Sequence, residues 1–230
     1  MTPRDKLVLR HIARHRLSIR EVLEAVFFKT PDACGNWIAR MLKAKPPLIE
    51  SAKFPDGYSY YQLTDEGAQS IGLKETPRVR DDRGAHAALA ALWFCHMTDK
   101  RKLLLTEDEE KKLLGVVPEG ARHCLEPAGD WSVLHELYVP GSGTDEKNVI
   151  DRIDKRISER REVPAFRDWI ASRNLGFAVL VEKDERRVAL KSRIGKSELR
   201  RFTSIIVELA PGPATLREFI HARNGRSHGS

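Results

Sequence analysis

No apolar run in this chain approaches the roughly 18 residues that a membrane-spanning helix needs. Met1-Thr2-Pro3-Arg4-Asp5-Lys6 also lacks the apolar core of a signal peptide. The expectation is a cytoplasmic protein with no membrane partner. Cysteine is scarce: Cys34, Cys95 and Cys124, an odd number at wide spacings. That argues against a disulfide framework and a C-x-x-C metal clamp, and leaves buried free thiols as the reading. There is no G-x-x-x-x-G-K-[ST] phosphate loop, no G-x-S-x-G nucleophile turn and no H-E-x-x-H helix. Gly141-Ser142-Gly143 is too short for a phosphate cradle. The eight histidines, among them His11, His15, His123, His135 and His221, show no metal-ligand spacing. No obligatory cofactor is expected.

What is present is an ordinary globular composition, 41% hydrophobic and 7% aromatic. A length of 230 residues suits one large domain or two small ones. Forty basic against thirty-three acidic side chains leave a net charge of +7. This favours an anionic partner without a polybasic tail, so the placement of charge has to carry the argument.

The first third is the most informative. Thr2 caps a helix over 3–15 with Pro3 at its first position. Leu7, Val8 and Ile12 recur at helical spacing within it. Ser18-Ile19-Arg20-Glu21 reads as a capping box opening a second helix that runs to about Phe28. Thr30-Pro31-Asp32 starts a third, over 31–44. Its core side carries Cys34, Trp37, Ile38, Met41 and Leu42. Asp32, Asn36, Arg40 and Lys43 form a polar stripe opposite. Such a stripe is either a solvated face or the face that a helix-turn-helix presents to base edges and phosphates. Two strand-like runs follow, 48–54 and 58–63, about the turn Pro55-Asp56-Gly57. Lys53 and Tyr58 flank its tip, as suits a wing on phosphates. Thr64-Asp65-Glu66-Gly67 caps a short helix. Double-stranded DNA is the leading partner.

Tyr61-Gln62-Leu63-Thr64-Asp65-Glu66-Gly67-Ala68 resembles the "Y-x-L-T-x-x-G" end of many prokaryotic winged helices. With Arg4-Asp5-x-x-Val8-Leu9, the region resembles the plasmid replication-relaxation family. The resemblance covers about residues 3 to 73. It implies an N-terminal winged helix followed by a nuclease-like α/β region, in a DNA-binding protein of a plasmid or mobile element that assists replication or transfer. Relaxase, replication or transcription machinery and a homodimer are the partners to consider. A winged-helix transcription regulator with a dimerisation or sensor domain has the same signature.

The polar segment 74–84 reads as a linker, leaving 1–73 as the DNA-binding domain, 85–223 as a second domain and 224–230 as a disordered tail. His86 to Met97 is apolar on nearly all sides, a buried helix. His86 falls where the resemblance puts a histidine, though a structural role serves as well. Thr106 to Lys112 is a capped helix, 131–139 a strand, Asp145 to Glu159 a charged helix and Pro164 to Ser172 another. Phe177 to Val181 and Val188 to Leu190 read as strands, Ser197 to Leu209 and Thr215 to Ala222 as helices. The whole is α+β: a winged helix-turn-helix, then a mixed-sheet α/β domain resembling the PD-(D/E)xK nuclease fold.

Such nucleases hold magnesium between two carboxylates, with a lysine two residues past the second. Pro118-Glu119 and Glu136-Leu137-Tyr138 match that layout except that Tyr138 stands where the lysine belongs, and tyrosine carries no positive charge near neutral pH. Lys147 is the substitute cation. A magnesium-dependent endonuclease using Glu119, Glu136 and Lys147, with the two glutamates as metal ligands, is therefore one reading. A nuclease-like scaffold without activity is the other. Late in the chain, Arg186, Arg187, Lys191, Arg193, Lys196, Arg200 and Arg201 cluster. Arg200 and Arg201 are expected side by side on the helix from Ser197, either as a phosphate track or as a solvated face.

Overall fold

The computed structural model describes residues 1–116, 120–201 and 203–226. The described chain is mixed α and β and forms two compact units. The first comprises residues 1–97 together with the chain from 211 onward, and the second comprises 98–210.

The first unit opens with α1 (Pro3–His15), α2 (Arg20–Phe27) and α3 (Pro31–Lys43). Thr2 and Asp5 form a reciprocal capping box on α1, and Arg16 ends the helix in the left-handed region, at φ 68°. The capping box expected at Ser18 does not form. Residue 19 takes the cap position with no side-chain hydrogen bond. Ser18 is instead in extended pairing with Tyr61, its N–H donating to the Tyr61 carbonyl at 2.9 Å and its carbonyl accepting from the Tyr61 N–H at 2.8 Å. A backbone pairing made 43 positions away outcompetes the local cap.

β1 (Ile49–Lys53) and β2 (Ser59–Leu63) form the expected antiparallel hairpin, followed by α4 (Asp65–Ser70). Val8, Leu9, Ile12, Leu23, Cys34, Trp37, Ile38, Met41, Ile49 and Leu63 make the core. The four fixed residues of the Y-x-L-T-x-x-G motif, Tyr61, Leu63, Thr64 and Gly67, each have a place in this packing. Tyr61 pairs with Ser18, and Leu63 is fully buried. The Thr64 hydroxyl donates to the Pro47 carbonyl at 2.6 Å and accepts from the Gly67 N–H at 3.0 Å. Gly67 lies against the Leu48 carbonyl so closely that a Cβ would stand 1.9 Å from that oxygen. The motif is therefore a lock that fixes β1, β2 and α4 together.

α5 (Asp82–His96) belongs to this unit and not to the second, as does α10 (Leu216–Arg226). This moves the domain division from 74–84, where composition suggests a linker, to 97–98. The reason is the all-round burial of α5, from Ala88 to Cys95, within the first unit. The chain then returns: Phe219 stacks edge-on against Trp93 at 5.7 Å, and Arg223 donates to the Met97 carbonyl at 2.9 Å. α10 runs to Arg226, past the start of the expected tail.

The second unit is a five-stranded sheet in the order β3 (Leu103–Leu104), β4 (His123–Ala128), β5 (Trp131–Tyr138), β6 (Leu175–Val181), β7 (Ser204–Leu209). The first two pairings are antiparallel and the last two parallel. α6 (Glu107–Leu114) precedes β4, α7 (Glu146–Glu162) and α8 (Pro164–Ala171) join β5 to β6, and α9 (Asp184–Lys196) joins β6 to β7. All seven residues of β6 are buried, as a strand covered on both faces requires. Two expectations fail here. Val188-Ala189-Leu190 lies within α9, where Leu190 and Ile194, four apart, face the core while Val188 is exposed. Residues 204–209 form a strand, because Ile205, Ile206 and Val207 pair alongside Phe177, Ala178 and Val179. The short apolar run was ambiguous between periods, and its β-branched residues settle as a strand beside the central one. The three cysteines are free and buried, and burial pushes the Cys34 thiol up to about 12.

Candidate nucleic-acid interface

The connection between α2 and α3 is three residues, 28–30. The Arg20 guanidinium braces it, donating to Glu24 at 2.6 Å and to the Pro31 carbonyl at 3.2 Å. α3 buries Cys34, Trp37, Ile38 and Met41 and leaves Asp32, Asn36, Ala39, Arg40 and Lys43 exposed. The expected polar stripe is thus a real exposed face.

Arg40 has a second attachment. Its two terminal nitrogens lie 3.3 and 2.7 Å from the two oxygens of Asp5, whose side chain is 1% exposed. Trp37 Nε1 donates to the same carboxylate at 2.9 Å. Burial alone would raise the pKa of Asp5. The Arg40, Thr2 and Trp37 donors more than offset this and hold it well below the usual carboxylate range. Arg40 is therefore a charge partner that ties α3 to α1, with a side chain that remains 55% exposed.

At the hairpin, Lys53 is exposed at the end of β1. Tyr58 is not presented to solvent. It is half-buried, and its hydroxyl donates to Glu21 of α2, which raises the phenol's pKa together with the larger effect of burial. The tip is also held by a distant part of the chain. Asp56 accepts from its own turn, at Tyr58 N (2.8 Å), and from the Arg217 N–H (3.2 Å) at the start of α10. Arg217 is exposed and its guanidinium lies beside Gly57, where φ is +81°. Sequence reading missed Arg217 because 161 positions separate it from Asp56. No local signal brings α10 to the hairpin.

Of the two residues proposed for magnesium, Glu136 does not fit that ion. Glu136, on β5, is fully buried. Its Oε1 accepts from Arg156 at 2.8 Å and Arg160 at 3.2 Å, and its Oε2 accepts from Arg160 at 2.8 Å. His123 Nε2 lies 3.5 Å from Oε2, while its Nδ1 is 3.0 Å from Glu110. Burial alone would raise the Glu136 pKa, but His123 and Arg160 more than offset it and the net shift is downward. The positive charge that Tyr138 could not supply is present, but α7 provides it. The guanidiniums of Arg152 and Arg156 face the Tyr138 ring, 5.6 and 5.2 Å from its centroid. Lys147 is exposed in the first turn of α7, nine residues before Arg156 and so about 14 Å from it along the axis. A carboxylate already neutralised by two guanidiniums is a structural counter-ion, not a vacant cation ligand. Glu119 lies outside the described residues.

Arg201 sits in a short 3₁₀ turn, 198–201, rather than on the expected helix face, and pairs locally with Glu198 at 2.7 Å. Arg200 shares that turn. Among the described residues, the histidine, cysteine and acidic side chains close enough together to share one metal ion are His11, His15 and His96, all in the first unit. Comparison with protein-family models, with curated proteins and with solved structures returned no match for this chain.

Proposed function

We propose that the first unit is a winged helix-turn-helix that binds double-stranded DNA, with α3 in the major groove and the β1–β2 hairpin along the backbone. The observation that carries this reading is the exposed Asp32–Asn36–Arg40–Lys43 face of α3, on a helix joined to α2 by three residues and followed by a hairpin with Lys53 at its end. A second helix of this kind is the one that reads base edges. Asn36 supplies a paired donor and acceptor suited to an adenine edge. Lys43, Lys53 and Arg217 supply point charges for phosphates. Arg40, already braced by Asp5, presents its remaining N–H donors without the entropy cost of ordering a free side chain. The second unit serves as a supporting or partner-binding module, and its Glu136 cluster gives no support to a nuclease reading. The resemblance of residues 3–73, on Arg4-Asp5-x-x-Val8-Leu9 together with the Tyr61-to-Ala68 stretch, to the plasmid replication-relaxation family favours a role at an origin of replication or transfer. A footprint confined to the promoter of the protein's own gene would favour a transcription regulator instead.

Two measurements test the interface. With Lys43, Lys53 and Arg217 on phosphates, the log of affinity should fall against log salt with a slope of roughly −3. A slope shallower than about −1 removes the reading. Asn36→Ala should weaken specific over non-specific binding by about 1–3 kcal/mol and leave stability within about 0.5 kcal/mol. Arg40→Ala should weaken binding and also destabilise the fold, because the buried Asp5 carboxylate loses its charge partner. Arg40→Lys restores the charge but not the two-pronged contact, so it should recover only part of either loss. Unchanged footprints for both Asn36→Ala and Arg40→Ala would exclude α3 as the reading helix.

A further inference from the structure

α1 carries His11 and His15 four residues apart, so both project from one side of the helix. α5, which runs through the same unit, brings His96 to them. One ring nitrogen from each of the three lies within 4.8 Å of the corresponding nitrogens of the other two. The ring centroids are 4.8 to 4.9 Å apart in all three pairs. His15 Nε2 and His96 Nε2 approach to 3.0 Å, one imidazole donating to the other. His11 and His15 are buried and His96 is half-buried. From this geometry we infer that His11, His15 and His96 form a binding site for a borderline transition-metal cation of the Zn²⁺ class.

The donor set selects the cation. Three imidazoles without a carboxylate suit Zn²⁺, Co²⁺, Ni²⁺ or Cu²⁺ and do not suit Mg²⁺ or Ca²⁺, which prefer oxygen. Nitrogens bound tetrahedrally at about 2.0–2.1 Å stand roughly 3.3 Å from one another. The His15–His96 pair, at 3.0 Å, is already near that separation, and the His11 nitrogen lies within 4.8 Å of both. The N–H that one Nε2 now donates to the other moves to Nδ1 of its own ring on binding, so the pair needs no net loss of a proton. Ser18 Oγ, 3.3 Å from His11 Nε2, is the kind of outer partner that fixes the tautomer and orientation of a ligating ring. Phe27, edge-on to His11 at 5.1 Å, gives the site an apolar wall. Three protein ligands leave a fourth position for water or a small anion. Contrary to the expectation from sequence, two of the histidines do have a ligand spacing, His11-x-x-x-His15 on α1, although Ile12 stands where a zinc protease helix has glutamate; only the fold brings His96, 81 positions after His15.

The test uses the full chain without an added histidine tag, stripped with chelator and titrated with Zn²⁺ or Co²⁺. One equivalent of Zn²⁺ should bind, and the thermal midpoint should rise by about 5–10 °C when free metal reaches about a hundred times its dissociation constant. Co²⁺ should produce the visible absorption of a four-coordinate site. His15→Gln and His96→Gln should each abolish the stoichiometric site, with unchanged far-ultraviolet circular dichroism. His221→Gln, at an exposed position of α10, should retain it. A wild-type chain that develops no Co²⁺ absorption overturns the inference whatever the variants do. Binding that survives in both His15→Gln and His96→Gln overturns it as well. DNA binding plays no part in any of these readouts, so the site stands or falls separately from the proposed interface.

Discussion

Replacing Glu136 with alanine should destabilise the second unit by about 3–5 kcal/mol, the usual loss when one partner of a buried ion pair is removed. The magnitude follows from what is left behind. Arg156 and Arg160 both donate to this carboxylate, and their side chains are only 15% and 9% exposed. His123, fully buried, sits on the other side. Without Glu136 the two guanidiniums face each other in a low-dielectric interior, and α7 loses its charged attachment to β5. The sign of the effect is what discriminates. A carboxylate waiting for a metal is a repulsive, destabilising group, and its removal commonly raises stability. A midpoint of denaturation that rises or stays level in Glu136→Ala would contradict the counter-ion assignment, whereas a large fall would establish it.

The same cluster predicts a pH dependence. The Glu136 pKa lies below its usual 4.5, so its contribution is full above that value and is lost as pH falls through the lower, folded-state value. His123 behaves oppositely. Burial alone would lower its pKa, but Glu110 and Glu136 more than offset this and hold it above the usual 6.5. Its contribution is therefore full below 6.5 and is lost as pH rises through the raised value. The cluster should stabilise most between 4.5 and 6.5. Chemical denaturation at several pH values measures this window, and Glu136→Gln should flatten it.

Gly67→Ala should cost the first unit a comparable amount, about 3–5 kcal/mol, through a different mechanism. The φ at Gly67 is not the cause. A Cβ there would stand 1.9 Å from the Leu48 carbonyl oxygen and 2.9 Å from its carbon. Both are backbone atoms, so no side chain can swing aside. The shift must displace either β1 or the start of α4, and with it the Thr64 bonds to Pro47 and Gly67. Gly35→Ala is the control. Gly35 lies inside α3, where a Cβ would meet only the end of the flexible Arg20 side chain at 3.7 Å. It should be neutral or stabilising by about 0.4–1 kcal/mol, as the unfolded chain loses freedom. Equal midpoints for Gly67→Ala and wild type in guanidinium denaturation would refute the clash.

The elements of residues 1–73 are largely legible in the sequence. Their helices and strands are short, amphipathic and punctuated by Thr2-Pro3, Thr30-Pro31 and Pro55-Asp56-Gly57, so local signals and burial pattern agree. The exception is Ser18, where a backbone pairing with Tyr61 overrides a plausible cap. Less of residues 184–209 was legible. Val188-Ala189-Leu190 and Ile205-Ile206-Val207 are apolar triplets of similar composition, and one became helix and the other strand. What separates them is a neighbour: β7 has the buried β6 to pair with, while α9 needs only its own backbone and a Leu190–Ile194 stripe.

The sequence by itself determined where the first four helices and the hairpin lie, that α3 has a polar face, and that the cysteines are buried thiols. Periodicity and turn chemistry act within about ten residues, and those properties need nothing more. Tertiary structure alone decided which charges meet. It gave Asp5 to Arg40, Glu136 to Arg156 and Arg160, Asp56 to the backbone of Arg217, and His96 to His11 and His15. Whether a carboxylate or imidazole is a ligand, a counter-ion or a solvated group depends on what lies within a few ångströms of it, and the partners just named lie 20 to 161 positions apart in the chain.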